Sequence, residues 1–210
     1  MTGFMGAALL MVPLARANIE LTIADSLSGD SIGQGVGGIT YGGDGTATTG
    51  GYLSLDGWKL SVNAATAPAD GTLGSPYLEV DTILVSAVGT GNLVIEFGGT
   101  DYTASGAALL NAQGTSLTGT FAVYSDPGNG LLNLTDPLGS VALSPSGTIA
   151  GGIAIGAPAY SLTEVLTITG GNPGSLDSIL TVPDGGLTLA MLGAALVGLA
   201  AARSKFTRTA

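Results

Sequence analysis

Between residues 18 and 170 the apolar side chains recur with a period of two and almost nowhere with a helical period of about 3.6. Such a stretch is written for strands. In Ile19-Glu20-Leu21-Thr22-Ile23 the three aliphatic residues share a face, and in Trp58 to Val62 the alternation puts Trp58, Leu60 and Val62 inside and Lys59 and Ser61 outside. Trp58 reads as a core anchor. The run Tyr77 to Val88 sets Leu78, Val80, Thr82 and Leu84 against Glu79, Asp81 and Ile83, a mixture expected of a strand covered in part on both faces. Further strands are expected at Leu93–Phe97, Leu117–Tyr124, Val141–Leu143 and Tyr160–Thr169, where Leu162, Leu166 and Ile168 share a face.

Strong turn punctuation separates these runs: Gly42-Gly43-Asp44-Gly45, Gly98-Gly99, Asp126-Pro127-Gly128-Asn129-Gly130 and Pro145-Ser146-Gly147. About seven short strands at this spacing predict an all-β fold, a β-sandwich of jelly-roll or immunoglobulin-like type. A brief helix is expected only at Ala104–Ala112, where Gly106 weakens it.

The two ends are written differently. Gly3 to Leu14 is a short apolar run followed by Ala15-Arg16-Ala17, the pattern of a signal peptide whose A-x-A site places cleavage after Ala17. The n-region has no Lys or Arg, and the alternative reading is a buried N-terminal helix or strand. At the other end, Leu187 to Ala202 carries no charged residue and is followed by Arg203, Lys205 and Arg208. As a helix those residues would span about 24 Å, short of a hydrocarbon core of roughly 30 Å. The basic end nonetheless predicts a transmembrane helix with its C-terminus on the cytoplasmic side. Ala190, Ala194, Gly198 and Ala202 form a small-residue stripe, read equally as a packing face or as plain alanine content.

The stretch Val182-Pro183-Asp184-Gly185-Gly186, the apolar segment after it and the basic end together resemble the PEP-CTERM class of bacterial sorting tails, in particular its VPDSG-type variant. Gly185 stands where that variant usually has Ser, and the basic residues are spread out. The resemblance implies export by the general secretion machinery. It implies a transient stay in the inner membrane through the C-terminal helix, then processing near Val182–Gly186 by an exosortase, a membrane transpeptidase. The destination it implies is the cell surface or an exopolysaccharide matrix of the biofilm kind. A plain membrane anchor is the alternative for the tail. The segment Ala159 to Thr169 and the run Gly57 to Val62 resemble strands of β-sandwich domains that carry such tails. The expected organisation is a signal over residues 1–17, a sandwich over 18–170, a flexible linker over 171–181 and a sorting tail over 182–210 with its helix at 187–202. The linker reading rests on Gly170-Gly171-Asn172-Pro173-Gly174-Ser175.

Composition removes much chemistry. The chain has no His and no Cys, so it has no imidazole base, no Ser-His-Asp triad, no thiolate nucleophile and no disulfide. Only five residues are basic, and all but Lys59 lie in the two ends, so the body is acidic and repels nucleic acid. Two carboxylates at glycosidase spacing would suffice for hydrolysis, with Glu79 and Asp81 as candidates, but the body has one Trp, one Lys and no Arg to hold a sugar. Asp25, Asp30, Asp44 and Asp126 fall in expected loops and suit a hard cation, yet no D-x-D-x-D-G spacing occurs. They read as solvated loop acids. Gly29 to Gly38 lacks the Lys-Ser/Thr of a phosphate loop.

The sequence therefore predicts a non-catalytic exported protein with no cofactor, no metal ligand and no catalytic residue. Its functional residues would be Val182, Pro183, Asp184, Gly185 and Gly186 for sorting, Ala15 and Ala17 for signal cleavage, and Arg203, Lys205 and Arg208 at the membrane end. The second reading is a carbohydrate-binding module presenting Tyr41, Tyr52 or Tyr102 as stacking platforms.

Overall fold

A computed structural model describes residues 18–33, 38–42, 46–66, 77–102, 106–143, 147–153, 159–181 and 196. The expected signal peptide, the sorting motif, the basic end and, but for residue 196, the C-terminal helix lie outside these residues. Among the described residues no helix is long and apolar enough to cross a membrane.

The described chain is built of strands. In order they are β1 (Ile19–Asp25), β2 (Ser31–Ile32), β3 (Thr40–Tyr41), β4 (Thr46–Thr48), β5 (Leu53–Leu55), β6 (Trp58–Thr66) and β7 (Tyr77–Ala87). There follow β8 (Leu93–Tyr102), β9 (Gly106–Gly114), β10 (Leu117–Asp126), β11 (Asp136–Ala142), β12 (Gly147–Ile153), β13 (Tyr160–Gly171) and β14 (Gly174–Thr181). They form two antiparallel sheets, one in the order β11-β10-β13-β8-β1-β2 and the other in the order β12-β9-β14-β7-β6-β4-β3, with β5 also paired to β6. This is the expected sandwich architecture, and from β7 onward the chain passes repeatedly from one sheet to the other.

The period-two pattern explains the core. Leu21, Ile23, Ile95, Phe97, Phe121 and Leu166 of one sheet and Trp58, Leu60, Val62, Leu78 and Ile83 of the other are all buried, and burial of such side chains is the main drive to fold. Trp58 is fully buried, as its alternation predicts.

The structure departs from expectation in β7. Leu78 and Val80 face inward, but so do Ile83 and Val85, while Leu84 is exposed. The cause is a β-bulge: between the pairs Ile83↔Leu176 and Val80↔Ser178, Asp81 and Thr82 stand opposite Asp177 alone. One extra residue exchanges the faces of everything after it. The helix expected over 104–112 is also corrected, because β9 takes its place, paired to β12 on one side and β14 on the other. Helix propensity is a weak prior where two strands stand ready to complete their ladders.

The expected flexible linker over 171–181 is a third correction. β14 occupies residues 174–181 in the interior of its sheet, between β7 and β9, so the body extends to Thr181. The glycine-rich stretch before it is a corner at which the chain leaves the six-stranded sheet for the eight-stranded one. It packs against a second corner, Thr115-Ser116, between β9 and β10. Asn172 N donates to Ser116 O at 2.8 Å, Thr115 N donates to Ser175 O at 2.9 Å and Ser175 N donates to Thr115 Oγ1 at 3.1 Å. A Cβ at Gly171 would collide with the Ser116 carbonyl and one at Gly174 with the Thr115 carbonyl. Glycine is required here by close backbone approach rather than by flexibility.

Candidate functional site

The sorting positions Val182 to Gly186 follow β14 directly in the sequence and lie outside the described residues, as do Ala15, Ala17, Arg203, Lys205 and Arg208. Within the body the sequence-derived candidates are three tyrosines and two groups of acids.

The tyrosines have three fates. Tyr102, expected to be a surface platform, is fully buried and stacks on Tyr160 with ring centroids 6.0 Å apart, which removes it as a binding residue. The reason is a β-bulge in β8: between the pairs Gly99↔Leu162 and Tyr102↔Tyr160, Thr100 and Asp101 stand opposite Ser161 alone, which turns Tyr102 to the face of Leu93, Ile95 and Phe97. Tyr41 is half-buried, and its hydroxyl accepts from Leu21 N and donates to Leu21 O, each at 3.1 Å, tying β3 to β1 across the sandwich. Only Tyr52 is presented, 54% exposed, and the Lys59 ammonium stands 5.2 Å from its ring centroid. That cation–π contact holds the ring in place at the β5–β6 hairpin.

Glu79 and Asp81 share the outer face of the eight-stranded sheet, as the alternation predicts. Asp177 of β14, hidden from sequence reasoning inside the supposed linker, joins them. Partial burial raises the Glu79 carboxyl above its ordinary value, and the nearby negative charges of Asp81 and Asp177 push it further the same way. Among the described residues no group of three or more acids is arranged to hold a metal ion.

Asp25 and Asp126 correct the reading of loop acids as solvated. Asp25 is buried at the end of β1, where its Oδ1 accepts from Leu27 N at 2.8 Å and Ser28 N at 3.0 Å. Its Oδ2 accepts from Trp58 Nε1 at 3.1 Å, joining the two sheets. Hydrogen bonding from Ser28 N, countered in part by burial, leaves its pKa below the ordinary value. Asp126, buried at the end of β10, organises the following loop. It accepts from Gly128 N, Gly130 N, Asn133 Nδ2 and Thr135 Oγ1 at 2.8 to 3.2 Å. These donors, led by the Asn133 amide, hold its pKa down at about 2. Both carboxylates are thus spent on the chain itself.

Sequence reasoning missed one group altogether. Glu164 of β13 is buried between the sheets, its Oε2 accepting from the Ser178 hydroxyl of β14 at 3.2 Å. Its Oε1 has no hydrogen-bond partner among the described residues. Burial pushes its pKa well above the carboxylate range, against the opposing bond from Ser178. The signal was present: Glu164 falls in register with Leu162, Leu166 and Ile168, the inward face.

The arrangement therefore offers a presented aromatic ring, an outer face with three acids and a polar bridge through the core. No family model matches the chain, and no curated protein matches it. Solved structures similar to it include the K1 cleaved adhesin domain of Lys-gingipain from Porphyromonas gingivalis W83, at 12% identity and a TM-score of 0.34, with 81% of this chain and 100% of that one covered. Another is the C-terminal CBM6 of LamC, a marine laminarinase from Zobellia galactanivorans, at 11% identity and a TM-score of 0.28, covering 66% of this chain and 98% of that one. A third is TmCBM61 in complex with β-1,4-galactotriose, at 11% identity and a TM-score of 0.30, covering 63% of this chain and 94% of that one.

Proposed function

We propose that this chain is a non-catalytic exported protein of the cell surface or extracellular matrix, delivered by an N-terminal signal and sorted through its C-terminal tail by an exosortase-type transpeptidase. What supports the reading is how the described strands sit against the two sequence motifs. The first described strand opens at Ile19, two residues after the expected cleavage position Ala17, and the last described strand closes at Thr181, one residue before the motif Val182-Pro183-Asp184-Gly185-Gly186. Cuts at both positions would leave every described strand intact. The strongly acidic body and the absence of His and Cys agree with a role outside catalysis.

In this mechanism the protein is a substrate. The signal starts translocation, the helix over 187–202 halts it with Arg203, Lys205 and Arg208 on the cytoplasmic side, and the peptidase cuts near Pro183. The test is intact mass of protein recovered from membrane, surface and medium fractions of the native cells. A species beginning at Asn18 and ending within Val182–Gly186 is expected, and Pro183→Ala with Asp184→Ala should abolish the C-terminal cut while leaving export unchanged. Full-length protein in the cytoplasm, or normal tail loss in the double variant, overturns the reading.

A second reading is favoured by Tyr52, an exposed ring held by Lys59 in the manner of a carbohydrate-stacking platform. It makes the surface body a carbohydrate-binding module. Saturable retention on a polysaccharide that is lost in Tyr52→Ala would establish it. Indifference to a broad glycan array would rule it out.

A further inference from the structure

Removal of a signal peptide after Ala17 does more than shorten the chain, because it turns the amide nitrogen of Asn18 into an α-ammonium. The fold sets one acceptor against that nitrogen and a carboxylate behind the acceptor. Asn18 N donates to Thr100 Oγ1 at 3.2 Å, and the Thr100 hydroxyl donates in turn to Asp101 Oδ2 at 2.9 Å. Thr100 N donates to Asn18 O at 3.0 Å, so the first residue of the body is held by both its backbone groups.

The carboxylate at the end of this relay is itself fixed. Asp101 has φ 66, a left-handed conformation, and Asn129, at φ 57, grips it from the loop that Asp126 organises. Asp101 N donates to Asn129 Oδ1 and Asn129 Nδ2 donates to Asp101 Oδ1, each at 2.8 Å. A paired amide clamp on a backbone outside the common regions marks a side chain whose position is set by its surroundings.

The charge balance sharpens the point. Residues 18–181 hold fourteen acids and a single basic residue, Lys59, which lies on the other sheet. The titratable carboxyl groups on the elements packed around Asn18 are Glu20 and Asp25 on β1, Glu96 and Asp101 on β8, Asp126 at the root of the loop, and Glu164 on β13. Within residues 18–181 these elements carry no basic side chain to balance their acids.

We infer that the Asn18–Thr100–Asp101 relay is a receptor for the mature N-terminus, in which the α-ammonium freed by signal cleavage becomes the missing cation and secures β1. The inference rests on cleavage after Ala17, as in the proposed function. The bond broken is the Ala17–Asn18 peptide bond, hydrolysed by water. The carboxylate leaves with Ala17, and the new amine takes a proton at neutral pH. The ammonium then donates to Thr100 Oγ1 as a charged donor, a stronger bond than the amide makes. The body is thus stabilised only once it is free of the signal.

The test compares two purified chains, Asn18–Ala210 and Ala17–Ala210, both in the same detergent. This separates it from the processing question, which the intact masses decide. At pH 6 and low salt the chain beginning at Asn18 should melt about 1–3 °C higher. The gap should close as pH rises through about 8, where an α-amine loses its proton. Asp101→Asn, which keeps the shape and tolerates the left-handed backbone, should remove the gap at pH 6. Equal melting of the two chains at every pH overturns the inference. So does a gap that persists at pH 10, or in Asp101→Asn; should that variant fail to fold, the pH series alone decides.

Discussion

Glu164 shows how one buried side chain sets the pH response of the fold. Burial raises the pKa of its carboxyl well above that of a glutamate in the unfolded chain, because the core disfavours the charged form. A raised folded value means stability is full below the unfolded pKa of about 4.3 and is lost as pH rises towards the folded value. Glu164→Gln keeps the bond from Ser178 and removes the ionisation. It should stabilise the protein at pH 7 and flatten the fall of urea-unfolding stability as pH rises above about 4.3. Asp126 behaves oppositely. Its folded value of about 2 gives stability that is present above roughly pH 4 and lost as pH falls through 2. Asp126→Asn should lower the urea midpoint at pH 7 and make it less sensitive to acid, since an amide would face the donors Gly130 N and Asn133 Nδ2 with donors of its own.

Among the elements, the strands that face one way throughout were legible in the sequence. Trp58, Leu60 and Val62 lie inside and Lys59 outside, as a simple alternation requires. What was not legible needed a partner strand to define it. The bulge at Asp81-Thr82 exists only relative to Asp177, so no pattern within β7 could announce that Ile83 and Leu84 exchange faces. β9 has the alanines and leucines of a helix, and only β12 and β14 beside it make it a strand. The candidate site was half legible: the shared face of Glu79 and Asp81 was, whereas Tyr102 was misread and Asp177 was concealed in the false linker. Glycines at 171 and 174 look identical to linker glycines until the second corner is set against them. That difference is measurable. Gly174→Ala should cost about 1–3 kcal/mol by pressing on the Thr115 carbonyl, while Gly51→Ala, with open space around it, should leave chemical denaturation almost unchanged.

Over the whole molecule the charge imbalance dominates. Fourteen acids against Lys59 in residues 18–181 repel one another in the compact state. Raising salt from about 0.01 M to about 0.3 M shortens the screening length from about 30 Å to under 10 Å and should raise the melting temperature by about 2 °C or more. A melting temperature that falls with salt would mean that attractive pairs outweigh this repulsion. The position of β14 carries a different consequence. It is hydrogen-bonded along both edges, to β7 and to β9, and it is the last described strand before Val182. Any force applied through the residues that follow Thr181 would enter the sandwich along β14. The pull would meet two ladders sheared together, a mechanically resistant geometry, instead of peeling an edge strand away one bond at a time.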